Sequence, residues 1–461
     1  MNRRDFLKAL GAGTAALAFP EYLKAVGNTA SDSDKPNIVL IMADDLGYSD
    51  IGCYGSTVHK TPNLDALAKG GMRFTDFHSN GAMCSPTRAA LLTGRYQQRA
   101  GIQSVLSSKS TPEAGLALEN VTFAEVLKQA GYTTAMYGKW HLGIPTKFNP
   151  VQQGFDEYIG FLAGGSDYIS HIDRGGKPDW WKNDKLQPEE GYTTELLSDH
   201  AVRFIKANKD KPFCVYVPYQ AVHFPFQGPN DEADRVVGGD YWSNAKYGRR
   251  YEPIEERKKA YKEMVESMDA GVGRIVETIK KLSLEKKTLI FFTSDNGAYS
   301  WVGSNLPCSG QKGGLLEGGH RVPAIAYWPG KIKPGSVTDQ TVLTMDLFPT
   351  LETIAKAKKP ADLKLDGVDV SAVLFEDKKL PERTVFWRIN REGVIRKGPW
   401  KLLLRPKRKD NEAFTGLFNL ADDIGEKNNL AEKDPKMVEQ LTAEYQAWEK
   451  EVTAGVVWLR K

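Results

Sequence analysis

Three stretches of the chain carry apolar runs without a break: NIVLIM at 37–42 and TLIFF at 288–292, each after one polar residue, and FCVYV at 213–217. A strand with one face in water alternates apolar and polar residues, so unbroken runs belong to strands covered on both faces. Helical patterns lie between them. In the clearest, from about Glu256 to Lys281, Tyr261, Met264, Met268, Val272, Ile275 and Ile279 recur every three or four residues, the spacing of one packed face. Together these features predict an α/β fold, a large N-terminal domain with a mainly parallel or mixed sheet flanked by helices. After about Leu365 the pattern changes. RTVFWRI and WKLLL read as strands between turns, and Asp434-Pro435 opens a last helix with Val438, Leu441, Tyr445, Trp448 and Val452 on one stripe. A smaller C-terminal α+β domain is expected there, with an antiparallel sheet and a terminal helix, dividing the chain into 31–365 and 366–461.

The first residues, MNRRDFLKALGAGTAALAFP, place Arg3 and Arg4 before a weakly apolar stretch rich in Ala and Gly. That order is a twin-arginine export signal, assigned to 1–30, and makes the twin-arginine translocation machinery a partner. The apolar run is too short to span a bilayer, so no membrane insertion is expected after its removal and the destination is periplasmic or secreted. The formal net charge of +4 is spread over 461 residues without a dominant basic block, which argues against nucleic acid as a partner. Four cysteines are too few for a disulfide framework in so long a chain, and pairing among Cys53, Cys214 and Cys308 stays open.

Two of the apolar runs end in oxygen ligands: IVLIMADD delivers Asp44 and Asp45, and LIFFTSDNG delivers Asp295 and Asn296. Sites in open α/β sheets form at the carboxyl ends of strands, where both pairs can converge. Three carboxylates and an amide, with no histidine or thiol next to them in sequence, favour a hard divalent cation, Ca2+ or Mg2+, over zinc. A cationic set accompanies them: Lys139 and His141 in YGKWHLG, His223 in AVHFPF and Lys312 in SGQKGGLLEGGHRVP. In CSPTRAALLTGR, Ser85 reads as an N-cap and Pro86 as the first helical residue. Cys84 is then expected just outside a helix N-terminus, with Arg88 and Arg95 on the same side and an anion welcome nearby.

CSPTRAALLTGR resembles the signature of the type I, formylglycine-dependent sulfatases of the alkaline phosphatase superfamily, in which Cys-x-Pro-x-Arg marks the cysteine for oxidation to an aldehyde. ADDLGY, GKWHLG, SDNG and GGHRVP resemble that family's other blocks in the same order, and the likeness runs from about Lys35 to Trp448. The resemblance implies that Cys84 becomes 3-oxoalanine (formylglycine) through a formylglycine-generating machinery. That machinery reads an extended chain, hence before folding and export. It implies a hydrated aldehyde with one hydroxyl to attack sulfur and a second to expel sulfate. It also implies Ca2+, in preference to Mg2+, bound by Asp44, Asp45, Asp295, Asn296 and modified Cys84. Arg88 would steady the diol, His141 would act as base for elimination, Lys139 and Lys312 would clamp the sulfate, and His223 with Lys312 would protonate the leaving oxygen.

The implied activity is that of a sulfatase, a sulfuric ester hydrolase, and export points to sulfated carbohydrates or polysaccharides as substrates. In GGSDYISHIDRGG, Asp167 and His171 are expected to read hydroxyls beside the sulfate. Trp180 and Trp181 could stack on a pyranose or pack a loop, and the run Arg405, Lys407, Arg408, Lys409 reads as a solvated hairpin tip before a polysaccharide patch. The alternatives are a formylglycine-dependent phosphonate or phosphodiester hydrolase and a non-catalytic sulfated-glycan-binding protein.

Overall fold

The computed structural model describes residues 35–242, 253–407 and 412–456. The export segment 1–30, and Arg408 and Lys409 of the basic run, lie outside the described residues. The centre is a ten-stranded mixed sheet. Its middle is parallel, in the order Thr288–Ser294, Asn37–Ala43, Phe213–Pro218, Thr133–Lys139 and Glu157–Phe161. On one side Ala324–Tyr327 pairs antiparallel with Thr288–Ser294 and leads through Met72–Phe74 to the edge strand Ser336–Thr338. On the other the short hairpin of Trp181–Lys182 and Lys185–Leu186 closes the sheet.

Two cores explain the unbroken apolar runs. Along Asn37–Ala43, Ile38, Leu40 and Met42 enter one core, and Val39, Ile41 and Ala43 enter the other. Burying a side chain of the Val, Leu or Ile class stabilises by about 1.5–3 kcal/mol, so neither face can be given to water. Helices Thr193–Ala207 and Ile254–Lys281 cover one face, the latter through the six residues of its periodic stripe. Helices Cys84–Thr93, Phe123–Gln129 and Leu347–Ile354 cover the opposite one. All four cysteines are free thiols. Among the described residues no helix is long and apolar enough to cross a membrane.

The C-terminal strands Thr384–Ile389, Glu392–Lys397, Trp400–Arg405 and Phe414–Asn419 form an antiparallel meander. Helix Pro435–Thr453 lies on it, its Leu441, Tyr445, Trp448 and Val452 sharing a third core with Trp387, Val394 and Leu402. Gly393 permits this approach, because a Cβ there would stand 2.0 Å from the Tyr445 ring. At the turn between Trp400–Arg405 and Phe414–Asn419, Arg405 pairs with Glu392 and Lys407 with Glu412.

A buried network joins the two sheets. Trp387 Nε1 donates to the Ser79 carbonyl at 2.8 Å, Asp76 pairs with Arg321 and Arg396, and Lys401 bridges Glu317 at 2.9 Å and Glu426 at 2.8 Å. His78 and His320, hydrogen-bonded through their Nδ1 atoms at 3.0 Å, fill the space beneath Trp387. Removing one partner from such a pair costs roughly 3–5 kcal/mol, so the network fixes how the meander seats.

The terminal helix has a simple test. Asp434 Oδ1 accepts from the Met437 amide at 3.0 Å, and Pro435 occupies the first turn. Asp434→Ala is expected to destabilise by about 1 kcal/mol, read as a lower urea midpoint, while Asp434→Asn, which keeps an acceptor, loses less.

Candidate active site

The parallel strands bring their carboxyl ends to one edge. Register pairs Ala43 with Ser294, so Asp44 and Asp45 leave the sheet beside Asp295 and Asn296. Lys139 is the last residue of its strand, with His141 just beyond, and Phe213–Pro218 leads to His223. Asp45 and His141 take left-handed backbone, φ 63° and 55°, which Asp and His tolerate better than most residues. In that conformation the Asp45 amide donates to Asp295 Oδ1 at 3.2 Å. Lys312 arrives on the loop after Asn296, its amide donating to the Ala298 carbonyl at 3.1 Å.

Three buried carboxylates meet three buried cations. Lys139 Nζ donates to Asp44 Oδ2 at 2.5 Å and Lys312 Nζ to Asp45 Oδ1 at 2.5 Å, while Arg88 Nε and Nη2 donate to Asp295 Oδ2 at 3.1 and 2.8 Å. Arg88 Nη1 is engaged by the Lys139 carbonyl at 2.8 Å. Burial and the neighbouring Asp295 push the Asp44 carboxyl up to about 7, Asp45 adding to the effect and Lys139 and Arg88 opposing it. Burial acts the same way on Asp295, but Arg88, Lys139 and Lys312 outweigh it and hold that carboxyl below its usual range. Cys84 Sγ lies 3.4 Å from Asp44 Oδ1 and 3.4 Å from Lys312 Nζ. Burial, and after it Asp44, pushes the thiol well up, so the unmodified side chain is neutral and a poor nucleophile.

The donor set fits a hard cation. Asp44, Asp45, Cys84 and Asp295 each bring a ligand atom within 4.8 Å of the others. Asp45 Oδ2 and Asn296 Oδ1 are buried with no hydrogen-bond partner, and leaving buried acceptors unsatisfied is costly. A divalent cation would satisfy both oxygens and relieve the crowding of charge at Asp44. Oxygen donors of this kind suit Ca2+ or Mg2+.

Both histidines have an assigned tautomer, because a carbonyl can only accept. His141 Nε2 faces the Leu106 carbonyl at 2.8 Å and must carry the proton, leaving a lone pair on Nδ1, which is buried without a partner. His223 Nδ1 faces the Phe224 carbonyl at 2.6 Å, leaving Nε2 with the lone pair, 3.9 Å from Asp45 Oδ2. Burial, then Lys139, holds His141 well below its ordinary value, and burial with Lys139 and Lys312 does the same to His223. Gly164 and Gly165 form the surface beneath both rings: a Cβ on Gly164 would stand 2.6 Å from His141 Nε2, and one on Gly165 3.1 Å from His223 Nδ1.

Cys84, His141, His223 and Lys312 line one pocket of about 180 Å3. Its other walls include Leu106, Arg174, Phe224, Trp242 and Tyr299, none of which the sequence reading named as a site residue. Arg174 does fall within GGSDYISHIDRGG, but its neighbour Trp242 lies on a distant loop.

Several expectations are corrected. Asp167 is completely buried: Oδ1 accepts from the Ile169 and Ser170 amides, and Oδ2 from Gln227 Nε2 and the Asp234 and Arg235 amides. It ties two loops together and has no exposed oxygen for a sugar hydroxyl. His171 stacks on Trp180 with ring centroids 4.3 Å apart, and neither lines the pocket. Of the two readings open for Trp180 and Trp181, the structure agrees with packing: Trp181 donates to Asp179 Oδ1 at 2.8 Å and is also absent from the wall. Cys84 is the first residue of its helix rather than the one before it; the N-cap is Met83, and Ser85 Oγ instead accepts from the Leu106 amide at 3.1 Å. That helix ends at Thr93, with Gly94 left-handed at φ 65°, so Arg95 does not continue the Arg88 face.

Comparison with known proteins identifies the family. The sulfatase family model matches residues 36–357, and a twin-arginine translocation signal matches residues 1–20, so the chain is exported to the periplasm or beyond. Human arylsulfatase A is 36% identical over 385 residues, 76% of this chain and 70% of that protein. Mouse N-acetylgalactosamine-6-sulfatase is 33% identical over 434 residues, 88% of this chain and 79% of its own. The crystal structure of Ps i-CgsB in complex with k-i-k-neocarrahexaose superposes with a TM-score of 0.79 at 32% identity, covering 92% of this chain and 94% of that one. The chain belongs to the sulfatase family, the formylglycine-dependent sulfatases of the alkaline phosphatase superfamily, and is a sulfuric ester hydrolase.

Proposed function

We propose that the protein hydrolyses sulfate esters of exported-compartment carbohydrates, using Cys84 converted to formylglycine and a Ca2+ ion held by Asp44, Asp45, Asp295 and Asn296. The observation that carries this reading is the placement of Cys84 Sγ inside the carboxylate cluster, 3.4 Å from both Asp44 Oδ1 and Lys312 Nζ. As formylglycine the residue would supply a hydrated aldehyde, one hydroxyl to attack sulfur and a second whose proton is removed as the aldehyde re-forms and the C–O bond to sulfate breaks. Bound Ca2+ supplies positive charge at the nucleophile and at the sulfate oxygens. The saccharide part is supported by the export signal and by two relatives, one named an N-acetylgalactosamine-6-sulfatase and one solved with a neocarrahexaose.

The chain's own residues divide the work. Lys139 and Lys312 hold the sulfate group through charge-assisted hydrogen bonds while remaining paired with Asp44 and Asp45. Arg88, locked on Asp295, keeps the nucleophile's residue in place from one helical turn away. His141 Nδ1 carries the lone pair that can take the proton whose departure expels sulfate. His223 Nε2 and Lys312 Nζ both face the Asp45 side of the pocket, where the leaving oxygen needs a proton. An anionic ester entering beside His223 favours its protonated form, offsetting Lys139 and Lys312.

Three outcomes test this function. Mass spectrometry of the Cys84 peptide from active protein is expected to show the aldehyde, and Cys84→Ser to lose steady-state turnover by on the order of a thousandfold or more with the fold retained. A thiol throughout fully active protein refutes the mechanism. Chelation is expected to abolish activity, and added Ca2+ to raise the melting temperature of wild type but not of Asp295→Ala. Gly164→Ala drives a methyl toward His141 Nε2 and is expected to lower kcat about 100-fold with little change in melting temperature, measured on matched aryl sulfate and phosphate esters.

A further inference from the structure

Behind the carboxylate cluster lies a further buried aspartate that belongs neither to the cluster nor to the pocket wall. Asp50 is 1% exposed, and its carboxylate gathers donors from three segments. Oδ2 accepts from the Gly47 amide at 2.8 Å and from the Tyr261 hydroxyl at 2.5 Å, and Oδ1 accepts from the Ser304 amide at 2.8 Å. A Cβ on Gly47 or Gly303 would stand 2.7 or 2.6 Å from Oδ2, so the chain closes around this oxygen with no room for a side chain.

Each of these segments leads to a residue of the site. Gly47 lies in the turn that follows Asp44 and Asp45. Ser304 precedes Asn305, whose Oδ1 accepts from the Ala298 amide and whose Nδ2 donates to the Ala298 carbonyl, both at 2.9 Å. The same carbonyl accepts from the Lys312 amide, so this loop carries Asn296 at its start and Lys312 at its end. Tyr261 comes from the long helix Ile254–Lys281, anchored in the core, and its hydroxyl also stands 3.3 Å from the Asp45 carbonyl. A hydroxyl has one proton to give, and the shorter contact, to Asp50, takes it. We propose that Asp50, held by Tyr261, is a positioning residue that sets the spacing of Asp45 and Asn296 for the divalent cation. This deepens the function proposed above and rests on its metal. Asp45 Oδ2 and Asn296 Oδ1, the buried acceptors without a donor, belong to the two loops that Asp50 ties together. A carboxylate with both oxygens engaged cannot turn, so the two loops share one rigid reference. Residues that orient metal ligands without touching the ion govern affinity by about 10–100-fold.

The experiment is calorimetric titration of metal-stripped protein with Ca2+, comparing wild type, Tyr261→Phe, Asp50→Asn and Val265→Ala. Tyr261→Phe removes only the hydroxyl, and Asp50→Asn keeps the shape while turning one acceptor into a donor that faces other donors. Both are expected to weaken Ca2+ binding by about 10–100-fold, and turnover lost at limiting Ca2+ is expected to return when Ca2+ is in excess. Val265 is buried one turn along the same helix, so Val265→Ala leaves a cavity that lowers the melting temperature while the Ca2+ dissociation constant stays at the wild-type value. Should Asp50→Asn fail to fold, Tyr261→Phe decides alone. A dissociation constant for Tyr261→Phe within about twofold of wild type overturns the inference. So does an equal weakening in Val265→Ala, which would make the effect one of general stability. Wild type that binds no Ca2+ overturns the metal reading, and the inference with it. Wild type that binds tightly beside an unaffected Tyr261→Phe leaves the metal reading standing and removes only the inference.

Discussion

Asp44, Asp45 and Asp295 are three carboxylates buried side by side, and their mutual repulsion dictates what surrounds them. Each has its own buried cation, Lys139, Lys312 and Arg88. Three negative charges against three positive ones cancel, so a divalent cation added to the cluster leaves it two charges positive. A sulfate ester carries one negative charge and develops another on its leaving oxygen. With the divalent cation proposed above in place, the pocket would be balanced for the transition state. The same pairing explains why the side chains arrive from so many elements: the carboxylates at two adjacent strand ends are paired by residues reaching in from a strand two places along the sheet, the Cys84 helix and the loop carrying Lys312.

What the sequence made legible was local. Runs such as NIVLIM and TLIFF end directly on their acidic residues, so strand, strand end and ligand sit within a few positions of one another. Asp434-Pro435 likewise carries cap and first turn together. What it hid depends on partners far along the chain. An aspartate in a polar loop looks the same whether it meets a sugar or backbone amides. For Asp167 the deciding donors, Gln227, Asp234 and Arg235, lie 60 to 68 residues downstream. Ser85 failed for a subtler reason. The chain enters the helix extended at Met83, with φ −151° and ψ 154°, so the helix begins at Cys84 and the hydroxyl turns to Leu106 instead.

The Asp167 correction also shows how the pocket wall is built. By collecting amides from both 169–170 and 234–235, this one carboxylate binds the loop carrying Arg174 to the loop carrying Trp242. Arg235 adds a second tie, its Nη1 donating to the Ile172 carbonyl at 3.2 Å. Neither residue touches the pocket, yet both determine its shape.

The Cys84–Thr93 helix is buried along its whole length, with Ala89, Leu91 and Leu92 in the core of the main sheet and Ala90 in that of the meander. Once both sheets have closed over it, no macromolecule can grip Cys84 without unfolding the protein. On the proposed conversion of Cys84 to formylglycine, maturation would then be a race in which each nascent chain either meets its modifying partner or folds past it. The active fraction would be set by the ratio of two rates, not by an affinity, and a substitution that slows closure of the meander over this helix would increase the yield of competent enzyme, even though it touches nothing in the pocket.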